Sequence, residues 1–134
     1  MIDPAVKRWL KIARSDLKMA FLSLTYDDEL TQQICFHSQQ CVEKSLKGYL
    51  VFMNISFPKT HSIEYLYERC KEVNKDFSTI NIGELSIYAV ETRYPQEYSE
   101  PSIEEAKSAY KIARDVYSFI INELRAEESD LTLF

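Results

Sequence analysis

The chain has little that would let it turn often. Its 134 residues include 2 glycines and 4 prolines, so tight reversals are few and long helices are favoured over many short strands. No run of 18 apolar residues occurs and the N-terminus carries no apolar signal core, which excludes a hydrophobic transmembrane helix and points to a cytoplasmic, non-membrane protein. No CxxC pair is present, and the three cysteines, at 35, 41 and 70, are odd in number. Cys35 and Cys41 would stand about 9 Å apart along a helix axis, too far for a disulfide. Buried free thiols in a reducing compartment follow. Glycine-rich phosphate loops are absent, which excludes P-loop and Rossmann sites. Repeats, low-complexity tracts and strand-like alternation are absent as well.

What is present is globular: 46% hydrophobic and 28% charged residues, enough for one domain with a real core. The net charge of −5 disfavours a general nucleic-acid coat. It is unevenly spread: residues 1–75 hold 11 basic and 9 acidic residues, and 76–134 hold 5 and 12. A basic surface within the first half is open, as is pairing of opposite charge between two chains.

Asp3-Pro4 opens a first helix of about 20 residues, with Asp as cap and Pro in the first turn. Val6, Leu10, Ala13, Leu17, Ala20 and Leu24 form its heptad-like seam, widened by Trp9 and Phe21. After an acidic connection at 26–29, a central helix starts near Thr31. His37, Gln40, Lys44 and Lys47 stack along one side of it; Cys35, Val42, Tyr49 and Phe52 lie on another. Glu43 precedes Lys47 by four residues, the favoured order for a surface ion pair. The polar stripe reads either as a solvated face or as a site between helices or subunits.

Pro58 closes the central helix, and a third helix follows over 62–73. A loop over 74–81 is expected to be pinned by Phe77 and Ile80. A shorter helix around Leu85, Tyr88 and Ala89 is stopped by Pro95. Ser102 and Glu105 form a capping box for the last helix, whose seam runs from Ile103 to Leu124 and is expected to pack on the first helix. The fold class is all-α: an antiparallel up-and-down bundle of four main helices plus a shorter one. The bundle domain is expected over 1–125, with an acidic, mobile tail over 126–134.

Several constellations could carry chemistry. His37 and Cys41, with His61 and Cys70, are potential metal ligands, but they match no tight zinc spacing, and no metal or cofactor is expected. A Cys41–His37 nucleophile pair lacks supporting residues. Lys44, Lys47, Lys59, His61 and Arg93 could surround an anion, with His37 and Gln40 on the same stripe, while Tyr94 and Tyr98 could stack on a base. Arg93-Tyr94-Pro95 reads equally as a rigid helix exit. The apolar C-terminal end of the central helix and the opposed charges of the two halves point to a homodimer.

The stretches FHSQQCVEKSLKGYLV, KTHSIEYL and ETRYP, ahead of a capped last helix, resemble the prokaryotic HEPN domain over almost the whole chain. The resemblance rests on Ala13, Asp16 and Leu17; Gln40, Glu43-Lys44 and Leu46-Lys47; Lys59-Thr60-His61; and Arg93-Tyr94-Pro95. It implies an often dimeric bundle, frequently encoded beside a minimal nucleotidyltransferase in toxin–antitoxin-like pairs. Members are proposed nucleotide binders or metal-independent ribonucleases. Nuclease members carry an arginine, four to six residues, then a histidine. After Arg93 that window holds Tyr98, Ser99 and Glu100. The expectation is therefore a binding and interaction subunit, with Lys44, Lys47, His61 and Arg93 as the principal anion contacts, nucleotide or polyphosphate as ligand and a nucleotidyltransferase as partner. The rival readings are a ribonuclease acting on RNA through Arg93 and His61, and a purely structural dimer.

Overall fold

A computed structural model describes residues 2–83, 85 and 100–127. Four α-helices account for most of them: α1 (Pro4–Tyr26), α2 (Thr31–Phe52), α3 (Ile63–Val73) and α4 (Ile103–Glu127), with a 3₁₀ turn at Lys75–Thr79. The shorter helix expected near 85–89 lies outside the described residues apart from Leu85, which is buried. No strand occurs among the described residues.

Local chemistry sets the helix ends. The Asp3 carboxylate accepts from the Ala5 N–H at 2.8 Å and Pro4 occupies the first turn. Asn54 takes a left-handed conformation, φ 61°, and reverses the chain after α2. Ser62 Oγ accepts from the Tyr65 N–H and starts α3. At α4 the capping box forms in both directions, Glu105 N–H to Ser102 Oγ and Ser102 N–H to Glu105 Oε1, each at 3.0 Å.

The core has α2 at its centre. Fourteen of its 22 residues are buried, because α1 covers one flank, α4 another and α3 a third. Gly48 lets α1 come close: a Cβ there would stand 3.1 Å from Leu10 Cδ2 and 3.2 Å from Trp9 Cβ. The expected seam of α1 is buried at Val6, Leu10, Ala13 and Ala20, with Leu17 and Leu24 partly covered. The last helix departs from expectation. It rests chiefly on α2 and only secondarily on α1, through contacts such as Phe21 with Tyr110 at 6.0 Å. Its buried face takes in Ala109, Val116 and Ile121 as well as the seam residues Ala106, Ala113, Ile120 and Leu124.

Within the expected 74–81 loop, Lys75–Thr79 form a 3₁₀ turn. Phe77 is fully buried between the rings of Tyr49 and Phe119, and the Tyr67 hydroxyl is shared between the carbonyls of Phe77 and Ile80. The α4 helix continues through Glu127, past the expected boundary at 125; residues 128–134 lie outside the described residues. Among the described residues no helix is long and apolar enough to cross a membrane.

Candidate functional site

The charged stripe of α2 does not face solvent. Glu43, in the middle of the helix, is fully buried, and Lys47 one turn later is only 6% exposed. Their pairing is therefore an interior ion pair and not the surface pair its spacing suggested. Lys44 Nζ donates to Glu43 Oε2 at 2.8 Å, and Lys47 Nζ donates to the same oxygen at 3.0 Å. From the connection before α3, His61 brings Nδ1 to 3.2 Å from Oε2 and 3.3 Å from Oε1. Three nitrogens thus converge on one carboxylate.

Burial alone would push the Glu43 carboxyl upward. The hydrogen bonds and charges of Lys44 and Lys47 outweigh that effect and hold it below its ordinary value. An ionised Glu43 can only accept, so the His61 Nδ1 carries the hydrogen and Nε2 is turned to other uses. The His61 side chain is 83% exposed, whereas the Lys44 side chain is 17% exposed. Trp9 of α1 closes the cluster from the side, its ring centroid 5.3 Å from Lys47 Nζ and 5.9 Å from Lys44 Nζ. Two lysines against one carboxylate leave the cluster net positive even with a neutral imidazole.

The predicted residues divide accordingly. Lys44, Lys47 and His61 are brought together. His37 is not part of the group: its Nδ1 pairs with Asp16 Oδ1 of α1 at 2.8 Å. Gln40 is half-buried, and its neighbour Gln39 is the glutamine inside the core, with Oε1 lacking a partner among the described residues. Lys59 is exposed. Arg93 and Tyr94, with Tyr98, lie outside the described residues. Sequence reasoning placed Glu43 as a helper on the surface and Trp9 as seam filler; in the structure they are the hub and the wall.

The nucleophile pair does not form. Cys41 Sγ has Ser45 Oγ and the Ala113 carbonyl oxygen as its neighbours, each at 3.9 Å, while His37 is engaged by Asp16. Burial pushes the Cys41 thiol up to about 12, slightly relieved by Ser45 and reinforced by the Asp16 charge. Cys70 donates to the Leu46 carbonyl and is likewise pushed up to about 12 by burial. All three cysteines are free and buried. Among the described residues no three His, Cys, Asp or Glu side chains gather as a metal set.

An up-and-down α-helical bundle whose central helix buries a glutamate held by two lysines of the same helix and by an exposed histidine from the next connection defines the class. The family follows from comparison: the HEPN domain model matches residues 6–124, and the chain belongs to the HEPN family. A crystal structure of an archaeal HEPN homologue is similar, with a TM-score of 0.59 and 25% identity, covering 88% of this chain and 96% of that one. No curated protein matches.

Proposed function

We propose that this HEPN domain is a binding and interaction subunit that holds the phosphates of a nucleotide or polyphosphate at the Lys44–Lys47–His61 cluster. The observation that carries this is the convergence of three basic side chains on one buried carboxylate. Glu43 fixes the lysines in place before any ligand arrives, so little side-chain entropy is lost on binding. Lys47 is too buried to act as more than a support. Lys44 and the exposed His61 are the groups that meet phosphate oxygens, and the edge of Trp9 offers an apolar wall. A minimal nucleotidyltransferase is the proposed protein partner, in a toxin–antitoxin-like pair, because its chemistry consumes nucleoside triphosphates and releases pyrophosphate, both phosphate ligands of the kind this cluster would hold.

Titration of ATP in EDTA at low salt tests this. Binding is expected to weaken with added salt and to fall about tenfold in Lys44→Ala and in His61→Ala, the loss of one charged contact. Absence of binding at low salt, or affinity unchanged from wild type in both variants, overturns the assignment. Co-purification with the product of an adjacent nucleotidyltransferase reading frame tests the partner.

A second reading draws on one feature, the hold of Glu43 on His61 Nδ1. A carboxylate that orients an imidazole and leaves Nε2 facing solvent is an arrangement suited to a general base. Metal-free cleavage of RNA that is lost in both His61→Ala and Arg93→Ala favours a ribonuclease over a binding subunit. The expected result is no cleavage.

A further inference from the structure

We propose that His61 is a phosphoryl acceptor: its Nε2 attacks an activated phosphate at the cluster and carries the phosphoryl group as a phosphohistidine. This rests on the reading of Lys44, Lys47 and His61 as a phosphate site and goes beyond it, from holding a phosphate to forming a bond with one.

The chain has 2 histidines, and a carboxylate holds each of them by Nδ1. Asp16 Oδ1 takes His37 at 2.8 Å. Glu43 faces His61 with both oxygens, at 3.2 and 3.3 Å. The far sides of the two rings differ. The His37 side chain is 22% exposed, and its ring meets Phe36 edge-on at 5.0 Å. The His61 side chain is 83% exposed. An ionised carboxylate keeps the ring hydrogen on Nδ1, which leaves the lone pair on Nε2. His61 is thus an oriented imidazole with its nucleophilic nitrogen in solvent, the arrangement that activates a histidine for attack.

Charge around the ring suits an incoming phosphate. Lys44 Nζ lies 2.8 Å from Glu43 Oε2, the same oxygen that His61 faces. Lys59 is exposed two residues before His61 in the same connection. His61 also stands one residue ahead of Ser62, the N-cap of the 11-residue helix α3, and helix N-termini favour negative charge. The exposed Glu64 of that first turn offsets part of this effect. Thr60 Oγ accepts from the Ser62 N–H at 3.0 Å and fixes the turn that presents the ring.

The step moves one electron pair in and one out. The Nε2 lone pair forms an N–P bond while the bond from phosphorus to its leaving group breaks, and the leaving group keeps that pair. From a nucleoside triphosphate the leaving group is the nucleoside diphosphate; from phosphoramidate it is ammonia. The ring retains its Nδ1 hydrogen, and the positive charge it gains is paired with Glu43. Nothing is oxidised or reduced. Glu43 acts through His61 and is a positioning residue.

The full chain is to be incubated with potassium phosphoramidate, a donor that needs no nucleotide site, and the labelling rate of each histidine followed by mass spectrometry. ATP binding is measured apart from this, so either reading can fail while the other stands. Burial alone protects His37 without speeding His61, so His61 in the folded chain is compared with His61 in urea. The folded rate is expected to be higher by at least about tenfold, and the label is expected to be lost in acid, as an N–P bond is. Glu43→Gln is expected to bring His61 down towards its rate in urea while His37 labels as before. His37 is held between α1 and α2 by Asp16 and so reports the fold in the same molecule. Lys44→Gln, at a partly exposed position, is expected to slow His61 by about tenfold, the loss of one charged contact. A folded rate no higher than the rate in urea, a label that survives acid, or a His61 rate unchanged in both variants overturns the proposal.

Discussion

Helices α1 and α2 are nearly equal in length, 23 and 22 residues, and they break opposite rules. The second buries charge, and the first exposes hydrophobic side chains. Glu43 and Lys47 sit inside α2's packed surroundings, while Leu22 and Tyr26 of α1 stand in water. The difference lies in position in the bundle. α2 is covered from three sides, so even its polar stripe is enclosed and must satisfy itself. α1 is covered by α2 and, less, by α4, which leaves its outer face exposed. An amphipathic pattern thus shows how a helix divides its faces, and the number of neighbours decides which face is inside.

The comparison breaks most completely at Glu43. Glu43→Ala removes the counter-charge of a buried lysine, and stability is expected to fall by about 3–5 kcal/mol, measured by urea denaturation. Replacing Glu43 and Lys47 together with leucine is expected to recover most of that loss, since an apolar pair leaves no unpaired charge. Equal losses in the single and double variants would show that the ion pair is not what holds this region.

Titration attacks α2 from both ends of the pH scale. The Glu43 carboxyl is held below its ordinary 4.5, so its contribution is present above that value and is lost as pH falls through the lower folded value. Burial pushes the Cys35 thiol up to about 11 and Cys41 up to about 12, from 9.0. A thiol kept protonated by folding contributes fully below about 9, and that contribution fades as pH rises through the folded values. Urea midpoints are therefore expected to drop on both limbs, with Cys35→Ala flattening the alkaline one.

Gly48 sharpens the comparison at the contact between the two helices. Gly48→Ala gains about 1 kcal/mol of helix propensity and presses a methyl group onto Leu10 and Trp9 Cβ, where overpacking costs about 1–3 kcal/mol. The Trp9 Cβ is fixed to its backbone and cannot swing aside, so a net loss of about 1 kcal/mol of stability is expected by urea denaturation. The smallest effect belongs to the outer face of α1. Leu22→Ser is expected to change stability by no more than about 0.5 kcal/mol in the same measurement.

Much of the fold could be read from residues alone. The Asp3-Pro4 start, the Ser102–Glu105 box and the heptad seams are local signals, and each appears where its residues stand. The partner of α4 could not be read that way, because a seam states which face is buried and not against what. The site was half visible. Lys44, Lys47 and His61 were picked out by charge and by resemblance, but their meeting point at Glu43 depends on a connection that folds back by 18 residues. His37 was misplaced for the same reason: its partner, Asp16, comes from another helix. The exposed stripe of α1 was in plain sequence, yet its apolar positions merged with the inner seam until burial separated the two.

The short connection between α1 and α2 has a consequence for how the chain is made. Residues 27–30 are all that separate the two helices, so their docking closes a small loop and involves only the first 52 residues. α4 begins 51 residues after α2 ends, a delay of roughly 3 to 10 s at ordinary rates of synthesis. Through that interval α2 lacks its α4 partner, and the apolar bed that α4 will cover is open to solvent. A holding chaperone acting on the nascent chain is therefore expected to find its target on that face.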